Sequence, residues 1–366
     1  MRRAIVLIAL SLTITSCGTQ VVKVTSPTVA TVPVALGTSL ATAQGTWAIA
    51  VMGGSAADQD NFWELFVRPA PGGSWRLVTP PAVADNGGLV AAGSATSLLI
   101  GFRPSQDLTF SPLATSTSTG AKWSAGLLNA GLANVPDALA VSGSQELALL
   151  RDGTIDASTD SGATWSALPA LATGRGCAIA GVNAVAFWTN ETPVAAGACT
   201  RPGVAGIFRD TAGTWQQDSP LLPAAYARDR VRVLRLSSAA GSGSAGTVTA
   251  LLQAGQELFA SWWTGTGWAS PVALAAGSGV RASGFGANGA AWVMLGDGSA
   301  ATISGPGGSW VVLPAVPSGT AVLALGGAGP QALQPKGSKL TVWELTGGAW
   351  IKVQSMSVPI EYGSSS

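Results

Sequence analysis

Arginine is the residue type in this chain best suited to binding chemistry. A guanidinium is a planar fork of donors that matches the oxygens of a carboxylate or phosphate. Three arginines follow a tryptophan at similar distances: Arg175 in "LATGRGC", ten residues after Trp165, then Arg228 in "PAAYARDRVRV" and Arg281 in "GSGVRASG", each thirteen after Trp215 and Trp268. Tyr226 and Asp229 flank the second of them. Together these five residues would make an anion- or carboxylate-binding cleft. The competing reading is solvated loop charges in a charge-poor chain. Histidine is absent and there is no C-x-x-C pair, so neither a zinc site nor any other metal or cofactor is expected.

Similar offsets from successive tryptophans have meaning only if the tryptophans themselves repeat. They do: "PGGSW" at Trp75, "STGAKW" at Trp123, "DSGATW" at Trp165, "DTAGTW" at Trp215, "TGTGW" at Trp268, "GPGGSW" at Trp310 and "TGGAW" at Trp350. The intervals are 48, 42, 50, 53, 42 and 40 residues. Glycine stands three before the tryptophan in every copy except that of Trp215, where Ala212 takes the place.

Each unit carries the same four pieces. A small-residue segment such as "SLATAQG" or "ALAVSG" leads, an apolar strand such as "TWAIAVMGG" follows, a third strand such as "FWELFVRP" runs into the turn, and the tryptophan opens a fourth. Four short strands per unit of this length predict an all-β fold, a seven-bladed β-propeller of four-stranded antiparallel blades. Small residues suit the first strand because sheets crowd at the central axis, and tryptophan fills the widening gap further out. Connections from each fourth strand to the next first strand would then share one face with the second-to-third turns. That face would carry Arg175, Arg228, Arg281, Tyr226 and Asp229, with Asp58, Asp60, Asp85, Asp137, Asp152 and Glu191 around them.

Composition agrees with stacked sheets. Hydrophobic residues make up 47% and charged residues 10%, with 48 glycines. The 19 basic and 18 acidic residues nearly cancel, so the basic footprint of a nucleic-acid binder is missing. The boundaries expected are a signal peptide over 1–16, a tether over 17–37 that either contributes a closing strand or none, the propeller over 38–358, and a frayed tail over 359–366. The signal reading rests on Arg2 and Arg3 before an apolar run from Ala4 to Ile14, too short for a membrane span.

Ile14-Thr15-Ser16-Cys17 resembles the lipobox of bacterial lipoproteins. That resemblance implies a lipid on Cys17 and attachment to the bacterial cell membrane, facing outside or into the periplasm. If Cys17 is lipidated, Cys177 and Cys199 remain as an even pair in an oxidising space, and a disulfide is expected; two buried free thiols are the alternative. Cys199 is read as part of a long second-to-third loop of blade 4, "TNETPVAAGACTRPG".

"STDSGATW", Ser158 to Trp165, resembles the Asp-box, or BNR repeat, of sialidase-like propellers. The resemblance implies that Ser158 and Asp160 brace the turn around Gly162 while Trp165 packs between blades. The aspartate position decays to Ser118, Trp263, Ala70, Gly305 and Leu345 around the ring, as a scaffold element would. Sialidases also resemble one another in an arginine triad, a tyrosine–glutamate nucleophile and an acidic proton donor. Here Arg68 and Arg103 match the early arginine motif imperfectly, the tyrosines are Tyr226 and Tyr362, and of Glu64, Glu146, Glu191, Glu257 and Glu344 most follow strand patterning and none has a paired tyrosine in evidence. The expectation is therefore a monomeric, non-enzymatic binding or scaffold module for a protein or envelope ligand. A carbohydrate-binding propeller is the alternative, with a glycan as ligand, and a sialidase-like glycosidase ranks below it.

Overall fold

The computed structural model describes residues 38–53, 61–70, 72–80, 89–93, 97–102, 112–117, 119–127, 136–150, 152–171, 177, 179–188, 191–237, 248–286, 289–326 and 329–359. Cys17, Arg175, Asp58, Asp60, Asp85, Arg103, Tyr362 and the whole of 1–37 lie outside these. Seven four-stranded antiparallel sheets follow one another along the chain, each with its strands in sequence order. This is the expected seven-bladed propeller. The first strands are Thr38–Thr42, Leu89–Gly93, Pro136–Ser142, Ile179–Phe187, Val231–Ser237, Val280–Phe285 and Val322–Gly326.

The repeated glycine is a backbone requirement. Gly72, Gly120, Gly162, Gly265, Gly307 and Gly347 all have φ between 61° and 94°, a region open to glycine at little cost. Ala212, the one substitute, also has a positive φ, 52°. All seven copies therefore place a left-handed residue three positions before the tryptophan.

The tryptophans then tie blade to blade. The indole N–H of Trp215 donates to the Pro169 carbonyl at 2.7 Å, Trp268 to Asp218 at 3.0 Å, Trp310 to Val272 at 3.0 Å and Trp350 to Pro314 at 3.2 Å. In each case the acceptor lies in or beside the fourth strand of the preceding blade. Apolar residues line the seams accordingly: Val231, Val233, Ala250 and Leu252 of blade 5 pack on Val194, Ala196 and Ile207 of blade 4. Leu251 and Leu258, on the opposite face of blade 5, pack on Ala291 and Val293 of blade 6. The second strands are buried on both faces, so they read as continuous apolar runs.

The ring closes between blades 7 and 1. Blade 7 draws its four strands from 322–357; any strand from 17–37 lies outside the described residues. The Trp75 indole donates to Gln331 Oε1 at 2.8 Å, and the Trp75 backbone exchanges two hydrogen bonds with the Gln354 amide at 2.9 and 2.7 Å. Gln331 in turn donates to Glu344 at 2.6 Å, and Arg68 pairs with Glu344 at 3.8 Å.

Blade 4 departs from the expected layout. Cys199 ends a second strand, Pro193–Cys199, and is not in a long loop. The segment before it, Ile179–Phe187, is a single first strand with two register shifts, and the turn between them centres on Glu191 at φ 59°. A glutamate in the left-handed region gives no turn signal in sequence, so the sequence pattern runs the loop on into the second strand. Trp188 and Glu191 therefore belong to the first-to-second turn, on the face opposite the one expected for Glu191. Cys177 and Cys199 form a disulfide, both half-cystines buried at the start of the first strand and the end of the second.

Candidate functional site

First strands run from the fourth-to-first connections toward the first-to-second turns. One face of the ring therefore carries the second-to-third turns and the inter-blade connections. Over blades 4 to 6 these segments touch in series. Gly203, in the second-to-third turn of blade 4, donates its N–H to the Asp229 carbonyl at 2.8 Å. A Cβ on Gly203 would lie 2.7 Å from the Ala227 carbonyl oxygen, so only glycine allows this approach. Gly255, in the equivalent turn of blade 5, lies against the Asp229 carboxylate. Ala276 donates to the Gln256 carbonyl at 2.8 Å, and Gly296 of blade 6 donates to Gly279 at 2.9 Å.

Arg228 and Arg281 are exposed on this ridge. Arg281 is the residue passed over where the blade 6 first strand shifts register between Val280 and Ala282; such bulges re-aim a side chain. Tyr226 ends a short 3-10 turn, Ala224–Tyr226. Its ring packs edge-on against Phe259 with centroids 4.9 Å apart, so it serves the blade 4–5 seam more than an open cleft. Asp229 is half-buried, and its N–H donates to the Tyr226 carbonyl at 3.0 Å. Asp137 is exposed at a register shift of the blade 3 first strand. Asp152 caps its turn by accepting from the Thr154 N–H at 3.0 Å.

Three arginines absent from the expected set lie on the same face. Arg201 sits in the second-to-third turn of blade 4, Arg230 just before the first strand of blade 5, and Arg232 second within it; all three are exposed. The signal was present in "RDRVR", a cluster of three arginines that runs from the turn at Arg228 into the first strand of blade 5. Among the described residues, the side chains of Arg201, Arg228, Arg230, Arg232 and Arg281 make no hydrogen bond or ion pair. Arg209, in the third strand of blade 4, is engaged by contrast: it pairs with Asp218 at 3.7 Å and lies 4.8 Å from the centroid of the Trp188 ring. Burial raises the Asp218 pKa while Arg209 and Trp268 lower it. Next to the unpaired cations Leu221 is 89% exposed, followed by exposed Pro223, Ala224 and Ala225. The face thus joins free guanidinium groups to an apolar step.

On the opposite face, the blade 3 turn is braced by its own side chains. Ser158 Oγ donates to Asp160 Oδ1 at 2.8 Å and accepts from the Gly162 N–H at 2.9 Å. The N–H and hydroxyl of Thr164 both donate to Asp160, at 2.8 and 2.7 Å. These bonds, those from Thr164 first, pull the Asp160 pKa down to about 2. Trp165 donates its indole N–H back to the Gly162 carbonyl at 3.1 Å. Beneath the turn Glu146 is 2% exposed; burial and then the charge of Asp160 push its pKa up to about 7. No cluster of three or more His, Cys, Asp or Glu able to hold a metal occurs among the described residues.

No protein-family model matches the sequence, and no curated protein matches it. Solved structures do. A putative 6-phosphogluconolactonase from Bacteroides uniformis superposes with a TM-score of 0.52 at 14% identity, over 85% of this chain and 96% of that one. The GH74 xyloglucanase from Xanthomonas campestris gives 0.49 at 14%, over 86% of this chain and 53% of the enzyme. YCF48 bound to D1 peptide gives 0.44 at 14%, over 84% and 89%. At such identities the likeness is one of fold. It nonetheless corrects the expectation that the protein is not an enzyme. That expectation tested the sialidase constellation alone, whereas the putative lactonase shares this architecture, and in propellers chemistry resides in face loops that vary independently of the blades.

Proposed function

We propose that this is a binding protein of the bacterial cell envelope whose propeller takes an acidic ligand on the face formed by the connections of blades 4 to 6. The observation that carries this reading is the run of exposed guanidinium groups, Arg201, Arg228, Arg230, Arg232 and Arg281, without side-chain partners among the described residues, on segments that touch in series. Arginine forks grip carboxylates with directional, charge-assisted bonds, and the exposed Leu221 beside them suits an acidic protein segment that also carries apolar side chains. The lipobox-like Ile14-Thr15-Ser16-Cys17 supports tethering by lipid on Cys17. In this reading Ser158, Asp160, Gly162 and Trp165 form an Asp-box that serves as scaffold. A carbohydrate ligand has less support, because Trp47, Trp63, Trp75, Trp188, Trp262 and Trp292 are buried and offer no sugar platform.

The test is binding of a fluorescent glutamate-rich peptide, carrying leucine at intervals, to the wild type and to an Arg228, Arg230, Arg281→Ala variant. Affinity is expected to fall at least about tenfold in the variant, and to weaken with salt in the wild type. Equal affinity for both proteins would remove the face from consideration. Incorporation of labelled palmitate, lost on Cys17→Ala, checks the anchor separately.

A further inference from the structure

Arg235 is a second, quite different arginine. It lies in the blade 5 first strand opposite Leu251, within the central channel and toward the end away from the cationic face. The channel there is walled by Ala91, Ala92, Gly93, Ala140, Val141 and Val185, small or apolar residues from the first strands of blades 2, 3 and 4. Arg235 is the one charged residue among those described along it. Its Nε–H donates to Ser283 Oγ of blade 6 at 3.0 Å, and no carboxylate accepts from it among the described residues. Withdrawal from water lowers its pKa to about 10.

Arg235 is half-buried, and a guanidinium partly withdrawn from water is normally paired with a counter-charge. With Nε engaged by Ser283, the two Nη groups have no partner among the described residues. Ser283 Oγ accepts from Arg235, so its own hydrogen is available to donate. Ser39, also lining the channel, accepts from the Trp292 indole at 2.7 Å and is in the same position. Thr38 is not, since its hydroxyl donates to the Ser283 carbonyl at 3.2 Å. First strands are also the inner edges of their sheets, which turns unpaired backbone N–H groups toward the axis.

We infer that the central channel holds a small oxyanion, a carboxylate or a phosphate, bound end-on by the two Nη groups of Arg235 with the serine hydroxyls as further donors. The site is independent of the face proposed above for an acidic polymer. A bulky ligand is excluded by the alanine, glycine and valine walls.

Calorimetric titration with sodium phosphate and, separately, sodium acetate tests this against sodium chloride at matched ionic strength. The wild type should bind at least one of the two saturably, and which one identifies the oxyanion. Arg235→Met should weaken that binding at least about tenfold, the usual worth of charged hydrogen bonds, whereas Lys352→Ala, which removes an exposed cation on the outer strand of blade 7, should leave it unchanged. No saturable binding by the wild type, equal binding by Arg235→Met, or an equal loss in Lys352→Ala would each overturn the inference. If Arg235→Met does not fold by circular dichroism, Arg235→Lys decides instead. It keeps the charge without the fork, so weaker binding is expected and undiminished affinity refutes the site.

Discussion

Glu146 and Asp160 are two carboxylates under one turn that respond to it in opposite ways. Asp160 is exposed and takes three hydrogen bonds from Ser158 and Thr164, which favour its charged form. Glu146 is buried beside it, with its pKa pushed up to about 7, so the folded state favours its protonated form. The unfolded chain, with an ordinary glutamate pKa near 4.5, loses that proton earlier. Stability is therefore fully present below about pH 4.5, declines as pH rises, and has lost Glu146's whole contribution above about pH 7. Glu146→Gln should remove this slope: its melting temperature is expected to exceed that of the wild type at pH 8, by up to about 3 kcal/mol in equivalent stability, and to match it near pH 5. Identical pH profiles would show that Glu146 titrates normally. Ser158→Ala removes three bonds of the same turn and is expected to cost about 1–2 kcal/mol in urea unfolding.

At the scale of the element, the unit is a left-handed residue, a tryptophan, and a carbonyl on the neighbouring blade. Gly162→Ala tests the first part. It meets both a positive φ of 82° and the Glu146 carboxylate 2.9 Å from the added Cβ, so a loss of at least about 1 kcal/mol is expected. Gly72→Ala has the same backbone strain with nothing near the new atom, so its smaller loss isolates the conformational cost. Trp310→Phe tests the tie between blades. It keeps the ring but drops the bond to Val272, and should cost about 1 kcal/mol. Trp75→Phe should cost more, because it strands the buried Gln331 amide at the ring closure.

The whole molecule is a ring, so its stability depends on the one seam where the chain does not run on from blade to blade. Gln354→Ala cuts both bonds to the Trp75 backbone and is expected to lower the denaturation midpoint by about 2 kcal/mol in equivalent stability. A comparable change on an outer strand elsewhere should do little. The Cys177–Cys199 disulfide clamps two strands of blade 4 at a sequence separation of 22 residues. Replacing both half-cystines by alanine should cost roughly 2–4 kcal/mol, read as a drop in urea midpoint that reduction of the wild type reproduces. Since the disulfide anchors the second strand next to the turn holding Arg201, its loss is also expected to weaken acidic-peptide binding.

Blade number, strand order and the seam-filling role of tryptophan were legible in the chain itself, because a turn that needs a left-handed residue and a seam that needs an indole recur wherever the backbone geometry recurs. Local chemistry of that kind is written residue by residue. Blade 4 was misdrawn where the local code fails: Glu191 takes the glycine-like conformation, and buried strands lack the alternation that marks their ends. Arg201, Arg230 and Arg232 were passed over because their common face exists only once turns distant in sequence are packed together. Arg235 was hidden for a stronger reason. An arginine in "VRVLRLS" looks like its exposed neighbour Arg232, and nothing in the sequence distinguishes them. The ring makes the difference, since convergence of first strands on one axis sets one guanidinium half-buried in the channel, with no carboxylate beside it among the described residues, and leaves the other in water.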